Sequence, residues 1–330
     1  MRYLRNHNTD VYYNMAFDEY ALEQLPLDEP LFYLWQNRPA VIIGLNQNAY
    51  AEVDIDYLHQ HNIALARRIT GGGAVYHDLG NLNYTIVGRS ADIERDYPQY
   101  ASYMMLALQA LGVEAELSGR NDILVNGRKV SGYAKRIYKD RLMVHGTLMF
   151  DVDIERLTHV LTPPTEKFIF KGISSVKSRV ANLKDYLPGI ASAQELSQAL
   201  EHHLSRQHQD QEYLLTEAQQ TEISAIAQSK FATPEWIYGR TPDSAVTYAR
   251  RLPCGNVEVH LDIKKGYIAN LRIGGDFIGN LPTNDIEDRL KGCLYERAAL
   301  QQRLASIIMQ HYLDNTTNEA FISLLFNSAP

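Results

Sequence analysis

Cysteine is nearly absent from this chain: Cys254 and Cys293 are the only two in 330 residues. They support neither a disulfide framework nor a cysteine-based zinc site. Long apolar runs are missing as well. No stretch reaches the roughly 18 residues of a membrane helix, and the opening residues 1–10 are polar, so neither a signal peptide nor a membrane span is expected. Positive charge is in deficit, with 32 Lys and Arg against 39 Asp and Glu and a net charge of -7. A general nucleic-acid binder needs clustered cations, and here they gather only locally, around Arg67, Lys129, Arg136 and Lys139. There is no internal repeat and no low-complexity segment. These absences lead to the expectation of a cytoplasmic protein with no nucleic-acid or membrane partner.

What remains is 45% hydrophobic and 22% charged, the composition of an ordinary globular protein. A length of 330 residues suits one large domain and one smaller one. The most informative stretch is RRITGGGAVYHDLGN, residues 67–81. Three consecutive glycines remove every Cβ, so the backbone can take positive φ, approach a ligand closely and turn its N–H groups inward as an anion-binding nest. Arg67 and Arg68 add fixed charge whose guanidinium matches carboxylate or phosphate oxygens. The spacing fits neither the dinucleotide fingerprint nor the P-loop. A flexible surface turn is the plain alternative, but the apolar flanks (Ile63, Leu65; Leu82, Tyr84, Ile86, Val87) predict buried strands and a rigid base.

Along the chain, Asn14 is the expected cap of a helix whose apolar face is Phe17, Ala21, Leu22 and Leu25, ended by Pro26. Strands are predicted at 31–36 and 40–44, with a turn at 37–39 between them, and Trp35 by its residue type reads as core. Tyr100, Met104, Ala107, Leu108 and Leu111 after Pro98 predict a helix stopped by Gly112.

Asn126-Gly127 between apolar runs predicts a two-residue type I′ hairpin. That turn pairs Val125 with Arg128, Leu124 with Lys129 and Asp122 with Ser131, which puts Asp122, Leu124, Lys129 and Ser131 on one face. Asp122 and Lys129 become diagonal neighbours able to share an ion, or else a plain surface ion pair. Gly132 beside Lys129 suggests the close approach of a ligand. A second hairpin turns at Lys139-Asp140 and returns through His145-Gly146-Thr147, where His145 reads as a hydrogen-bonded core histidine, with a metal site of His77, Asp78 and His145 as the alternative. The basic stretch 171–180 reads from its residues as a solvated loop. Helices at 193–206 and 216–231 close the large domain. Residues 233–253, spaced by Pro234, Gly239, Pro242 and Pro253, read as a connection, followed by two strands and two helices in a small α+β module.

The motif at 67–81, with Asn121-Asp122, Arg128-Lys129-Val130-Ser131-Gly132 and His145-Gly146-Thr147-Leu148, resembles bacterial lipoate-protein ligase A. The likeness runs over nearly the whole chain, to Gly292-Cys293-Leu294-Tyr295. It implies an α+β fold of the biotin and lipoate ligase type, a mixed sheet flanked by helices, with a small α+β C-terminal domain. The implied division is a catalytic lipoate- and ATP-binding domain at 1–241 and an accessory domain at 246–330.

The implied activity has two steps. Lipoate and MgATP give lipoyl-AMP and pyrophosphate, and the lipoyl group then passes to a lysine of a lipoyl domain, on 2-oxoacid dehydrogenase E2 subunits or the glycine cleavage H protein. By the same resemblance Lys129 contacts the lipoyl carbonyl and the α-phosphate. Arg68 and the backbone of Gly73, Ala74, Val75 and Tyr76 contact ATP and adenylate, and Gly71, Gly72 and His77 flank the acyl group. Trp35 lines the tunnel for the lipoyl chain, Asn121 and Asp122 hold phosphate, and Asp122 holds Mg²⁺. The protein is expected to act as a monomer. Two rivals stand beside this reading: an ATP-independent octanoyl or lipoyl transferase of the same fold working through a cysteine thioester, and a non-catalytic lipoate-binding protein.

Overall fold

The computed structural model describes residues 1–47, 49–53, 55–119, 121–161, 179–206, 212–238, 246–264, 267–295 and 297–326. The stretch 162–178, which holds most of the basic segment at 171–180, and the predicted turn at Lys265-Gly266 lie outside the described residues. Strands are β1 (Arg2–Arg5), β2 (Leu31–Trp35), β3 (Ala40–Ile43), β4 (Ala64–Arg67), β5 (Val75–His77), β6 (Asn81–Arg89), β7 (Ala115–Ser118), β8 (Asp122–Val125), β9 (Arg128–Tyr138), β10 (Arg141–Met149), β11 (Val246–Leu252), β12 (Gly255–Lys264) and β13 (Tyr267–Gly275).

The chain divides into two compact units, Met1–Ile42 with Tyr50–Ala66 and Val75–Thr233, and Ile43–Ala49 with Arg67–Ala74 and Pro234–Pro330. Two short segments, 43–49 and 67–74, therefore group with the C-terminal part, a feature the sequence division at 241 does not carry.

The first unit is built on a seven-stranded mixed sheet in the order β1-β2-β6-β10-β9-β8-β7. Only β1 and β2 run parallel in it; β2, β6, β10, β9, β8 and β7 are joined by antiparallel ladders. Successive side chains on a strand point to opposite faces, and on β6 this alternation sorts chemistry. Leu82, Tyr84 and Ile86 enter a core with Tyr100, Met104, Ala107 and Leu108 of the helix Ile93–Ala110 and Leu196 and Leu200 of the helix Ala193–Arg206. Asn81, Asn83 and Thr85 occupy the opposite face, which the helix Val11–Glu23 approaches at β6 and β10.

That first helix is capped by Asp10, whose carboxylate accepts the Tyr13 N–H at 2.8 Å, and not by Asn14. Asn14 lies inside the helix, buried, and donates to Asn37 Oδ1 at 2.8 Å. The helix Ile93–Ala110 likewise starts earlier than expected, capped by Asp92, and absorbs Pro98. A smaller sheet of order β4-β3-β5 carries the strands flanking the glycine-rich loop.

In the second unit β11, β12 and β13 form an antiparallel meander. β11 occupies the stretch expected to be a connection, because its prolines and glycine lie at or outside the ends of the strand while its interior carries weak alternation. Helices Asn284–Leu290, Arg297–Leu304 and Asn318–Leu325 pack on the meander around Val257, Val259, Leu261, Phe277 and Phe321. Glu287, buried in this core, accepts from Arg272 Nη1 at 2.6 Å, Thr283 Oγ1 at 3.0 Å and the Ile273 N–H at 3.1 Å, which satisfies a carboxylate that would otherwise be costly to bury. Among the described residues no helix is long and apolar enough to cross a membrane.

Candidate functional site

The β8–β9 hairpin turns as its Asn-Gly predicts, with φ of 50° at Asn126 and 72° at Gly127. Val125 pairs with Arg128 and Leu124 with Lys129, as expected. Beyond them the register shifts: a bulge between Ile123 and Leu124 pairs Ile123 with Ser131 and Asp122 with Gly132. The extra residue is Val130, which is buried together with Ser131. Ser131 therefore leaves the Asp122 and Lys129 face, contrary to the alternation that placed it there.

The bulge brings Lys129 Nζ to 2.7 Å from Asp122 Oδ1, with the two side chains 39% and 36% exposed. A Cβ on Gly132 would lie 2.9 Å from that ammonium. What approaches Gly132 closely is the Lys129 side chain itself. The backbone of Lys129 is fixed as well, donating its N–H to Arg179 O at 2.8 Å and accepting from Ala181 N at 2.9 Å, while Arg128 donates to Val180 O. Residues 179 and 180 are thus the part of the basic segment that the structure describes, and with Ala181 they clamp the strand carrying Lys129. Asn121 donates its side-chain amide to Tyr133 O at 2.8 Å, which sets the entry to β8.

The same face of the sheet carries a buried polar row. Trp35 Nε1 donates to Thr85 Oγ1 at 3.0 Å, and Thr85 donates to Asp18 Oδ1 at 2.9 Å. Asp18 also accepts from the Tyr33 hydroxyl at 2.6 Å, and its Oδ2 lies 2.6 Å from His145 Nδ1. Burial first, then the Asp18 charge, pushes the Tyr33 phenol well above its ordinary pKa, so it remains a donor. His145 is the hydrogen-bonded core histidine of the sequence reading, and its partner is Asp18, 127 residues away. His77, buried, meets Asn37 Nδ2 at 3.0 Å through Nδ1, and its ring stands edge-on to Trp35 at 6.0 Å. Asp78 accepts the Gly80 N–H at 2.8 Å and the Asp153 N–H at 3.1 Å, and burial raises its pKa. His77, Asp78 and His145 serve separate bonds, and among the described residues no group of three or more His, Cys, Asp or Glu could hold a metal.

Val75 and Tyr76 sit on β5, paired with Ile42 and Val41. β5 is an edge strand of its sheet, so its outer side presents main-chain N–H and C=O groups.

In the second unit the glycine-rich loop is tightly fitted. Arg67 is 0% exposed and donates to the carbonyls of Gly44, Leu45, Gln47, Trp236 and Ile237. This guanidinium organises backbone, whereas the sequence reading gave it to an anion. Arg68 is also buried, bonding Thr70 Oγ1 at 3.0 Å and the carbonyls of Gly71 and Gly73 at 2.7 and 2.9 Å. Burial lowers its pKa to about 10, which leaves it charged at neutral pH. Gly72, at φ of 93°, donates its N–H to Phe277 O at 2.9 Å, and a Cβ on Gly71 would come within 2.6 Å of that oxygen. Close chain packing is one thing the glycines permit here.

The sequence reading gave no role to Asp18, Asn83, Thr85 or Thr147, although Thr147 stands in its His145-Gly146-Thr147 motif. Period-2 alternation on β6 and β10 would have placed the last three on one face; nothing in the sequence would have tied Asp18 to them.

Comparison with known proteins agrees with the resemblance. The family description "Lipoyl protein ligase A/B catalytic domain" matches residues 10–205, and "Bacterial lipoate protein ligase C-terminus" matches 241–325. Lipoate-protein ligase LplJ of Bacillus subtilis (strain 168) is 38% identical over 331 residues, covering 99% of this chain and 100% of that protein. The crystal structure of P. falciparum LipL1 in complex with lipoate shares the fold, with a TM-score of 0.79 over 99% of each chain at 23% identity. A crystal structure of lipoate-protein ligase A bound with ATP gives a TM-score of 0.63 at 30% identity, covering 72% of this chain and 98% of that one. With both family descriptions matched and a full-length relative at 38% identity, the chain belongs to the lipoate-protein ligase family.

Proposed function

We propose that this enzyme activates lipoate with ATP, releasing pyrophosphate and forming lipoyl-AMP, and then transfers the lipoyl group to a lysine of lipoyl domains on 2-oxoacid dehydrogenase E2 subunits and the glycine cleavage H protein. It acts as a cytoplasmic monomer. A carboxylate is a poor electrophile, and AMP supplies the leaving group. Two anions, carboxylate and α-phosphate, must then be brought into contact, so a preorganised cation is the dominant requirement.

The observation that carries this reading is Lys129. Its ammonium is accessible, lies over Gly132, is oriented by Asp122 at 2.7 Å, and stands on a backbone clamped by 179–181. Asp122, at 36% exposed, suits the role of a Mg²⁺ ligand beside phosphate oxygens, since Mg²⁺ usually takes one or two carboxylates with substrate phosphates and water. When bound, the metal would neutralise charge on those phosphates. Arg68 and the main chain of Gly73, Ala74, Val75 and Tyr76 contact the nucleotide, and Asn121 contacts phosphate. Gly71, Gly72 and His77 flank the acyl group, and Trp35 lines the path of the lipoyl chain. Residues 1–241 hold both substrates, and 246–330 support the glycine-rich loop. A relative solved with ATP and relatives named for lipoate ligation support the same reading.

The thioester transferase draws less support. It needs an accessible thiolate, and Cys254 and Cys293 are 0% and 3% exposed within the core of the second unit.

The test is lipoate-dependent exchange of pyrophosphate into ATP. The parent should catalyse it, and Lys129→Ala should fold yet lose about 10²–10³ in rate, as for removal of one preorganised donor. Lys129→Arg should not restore the rate fully, because a wide planar fork replaces a compact ammonium. Transfer from supplied lipoyl-AMP should suffer less. Exchange in Lys129→Ala within a few-fold of the parent would sink the role given to this lysine.

A further inference from the structure

Within the first unit, one line of side chains crosses four adjacent strands. Trp35 on β2 is opposite Asn83 on β6, and Asn83 is opposite Thr147 on β10. Thr147 Oγ1 accepts the N–H of Gly132 on β9 at 3.3 Å, and Gly132 lies under the Lys129 ammonium. Three inter-strand spacings separate β2 from β9, about 14 Å, and Asn83 stands two spacings, about 9.5 Å, from the strand that carries Lys129.

Asn83 is the anomaly in this line. It is 1% exposed, its Oδ1 accepts from Asn81 Nδ2 at 2.7 Å, and its own Nδ2 has no hydrogen-bond partner among the described residues. A buried donor left unsatisfied is costly, and its presence in a native site calls for an explanation.

We propose that Asn83 is a specificity-determining residue that reads the distal end of the acyl chain, donating from Nδ2 to a ring sulfur of lipoate and so favouring a dithiolane over a plain saturated tail. The inference rests on the ligase reading, with the substrate carboxylate at Lys129. From that carboxylate an extended eight-carbon chain reaches about 9 Å, at about 1.3 Å per bond. Its far end therefore falls at Asn83, beside Trp35 across the β2–β6 pair. Lipoate carries sulfur on carbons 6 and 8, joined as a ring disulfide, and divalent sulfur is a weak acceptor. Octanoate offers only methylene and methyl there, and would leave the amide N–H unpaired. Thr85, Tyr33 and Asp18 do not fill this need, because their bonds close among themselves and with His145 and Trp35. The result is discrimination by an unpaired buried group, in a mild form because the acceptor is weak.

The test measures kcat and KM for lipoate and for octanoate in acyl-dependent pyrophosphate exchange by the whole protein. The parent should prefer lipoate in kcat/KM by at least about fivefold, and Asn83→Leu should lower that preference by about fivefold or more, through the KM for lipoate and with the KM for ATP unchanged. A merely structural role would weaken both acids alike. If Asn83→Leu does not fold, the pair Asn83→Ser and Asn83→Ala decides: serine keeps a donor and should keep most of the preference, and alanine should lose it. A parent that does not prefer lipoate, a preference within twofold of the parent's in folded Asn83→Leu, or equal preferences in the serine and alanine variants overturns the proposal. A parent that performs no exchange with either acid overturns the ligase reading itself, and the inference falls with it.

Discussion

Gly132 is the seat of Lys129: a β-carbon on the glycine would lie 2.9 Å from the ammonium nitrogen and 3.0 Å from Cε. Glycine is required here by the far end of a flexible side chain, and that chain can swing aside. Gly132→Ala should therefore fold with stability within about 1 kcal/mol of the parent. Its ammonium must move, however, and displacement on the ångström scale can cost about 10²-fold in rate. We expect normal thermal unfolding together with at least about a tenfold loss of lipoyl-AMP formation. Parental exchange rates in Gly132→Ala would show that the position of the ammonium over Gly132 is immaterial.

Two other motif glycines answer to packing. A Cβ on Gly146 would meet the Tyr84 hydroxyl at 2.6 Å and its ring carbons at 2.7 and 2.8 Å, and a Cβ on Gly80 would meet Asp151 O at 2.0 Å. Tyr84 is wholly buried, so its ring cannot swing clear, and the contact at Gly80 is with backbone. Gly146→Ala should destabilise by about 1–3 kcal/mol, in the range of core overpacking, and Gly80→Ala by at least as much. Denaturant unfolding reads both; a midpoint unchanged in Gly146→Ala contradicts the packing argument.

Catalysis should need no thiol. Cys254 and Cys293 are both in the core of the second unit. Alanine is the better probe, since a serine hydroxyl at these buried positions would have to find a partner. The double variant Cys254→Ala, Cys293→Ala should lose some stability and keep lipoate-dependent exchange per folded molecule. An acyl-thioester trapped on the parent, or complete inactivity of a folded double variant, would favour the transferase.

These sites differ in how far the sequence announces them. The Asn126-Gly127 turn, the pairs Val125 with Arg128 and Leu124 with Lys129, and the helix Ala193–Arg206 follow from local rules, because two-residue turns and apolar periodicity act over a few residues. The bulge at Val130 does not, since alternation has no means of signalling one extra residue. Asp18 and His145 lie 127 residues apart, and only the sheet brings them together. Arg67 looks like a ligand cation in sequence because its acceptors are backbone carbonyls at 44–47 and 236–237, which any residue type could supply.

From motif content alone, a chain ending near Arg240 would keep every phosphate- and carboxylate-handling residue and should still bind lipoyl-AMP. The contacts within the second unit argue otherwise. The Gly72 N–H donates to Phe277 O at 2.9 Å, and Asn46 O accepts from Gly275 N at 2.6 Å. Removing 246–330 deletes both partners and opens these groups to water, so the loop loses two bonds worth about 0.5–1.5 kcal/mol each. The truncated chain would also lose the surface that Gly71 abuts at Phe277 O. The bonds left to the loop would be those of Arg67 to 44–47, the main-chain bonds of Leu45 N–H to Thr70 O and Arg68 N–H to Ile43 O, those of the Arg68 side chain to Thr70, Gly71 and Gly73, and, if the end of the truncated chain stays folded, those between Arg67 and 236–237. We expect the first unit's sheet to form, while amides of residues 43–49 and 67–74 exchange with solvent at least about tenfold faster than in the full chain, since about 1.4 kcal/mol of lost protection is a factor of ten. Hydrogen exchange read by mass spectrometry on peptides from 43–49 and 67–74 decides the matter. Unchanged protection there, with lipoyl-AMP still bound, would mean that the C-terminal residues are dispensable to the loop.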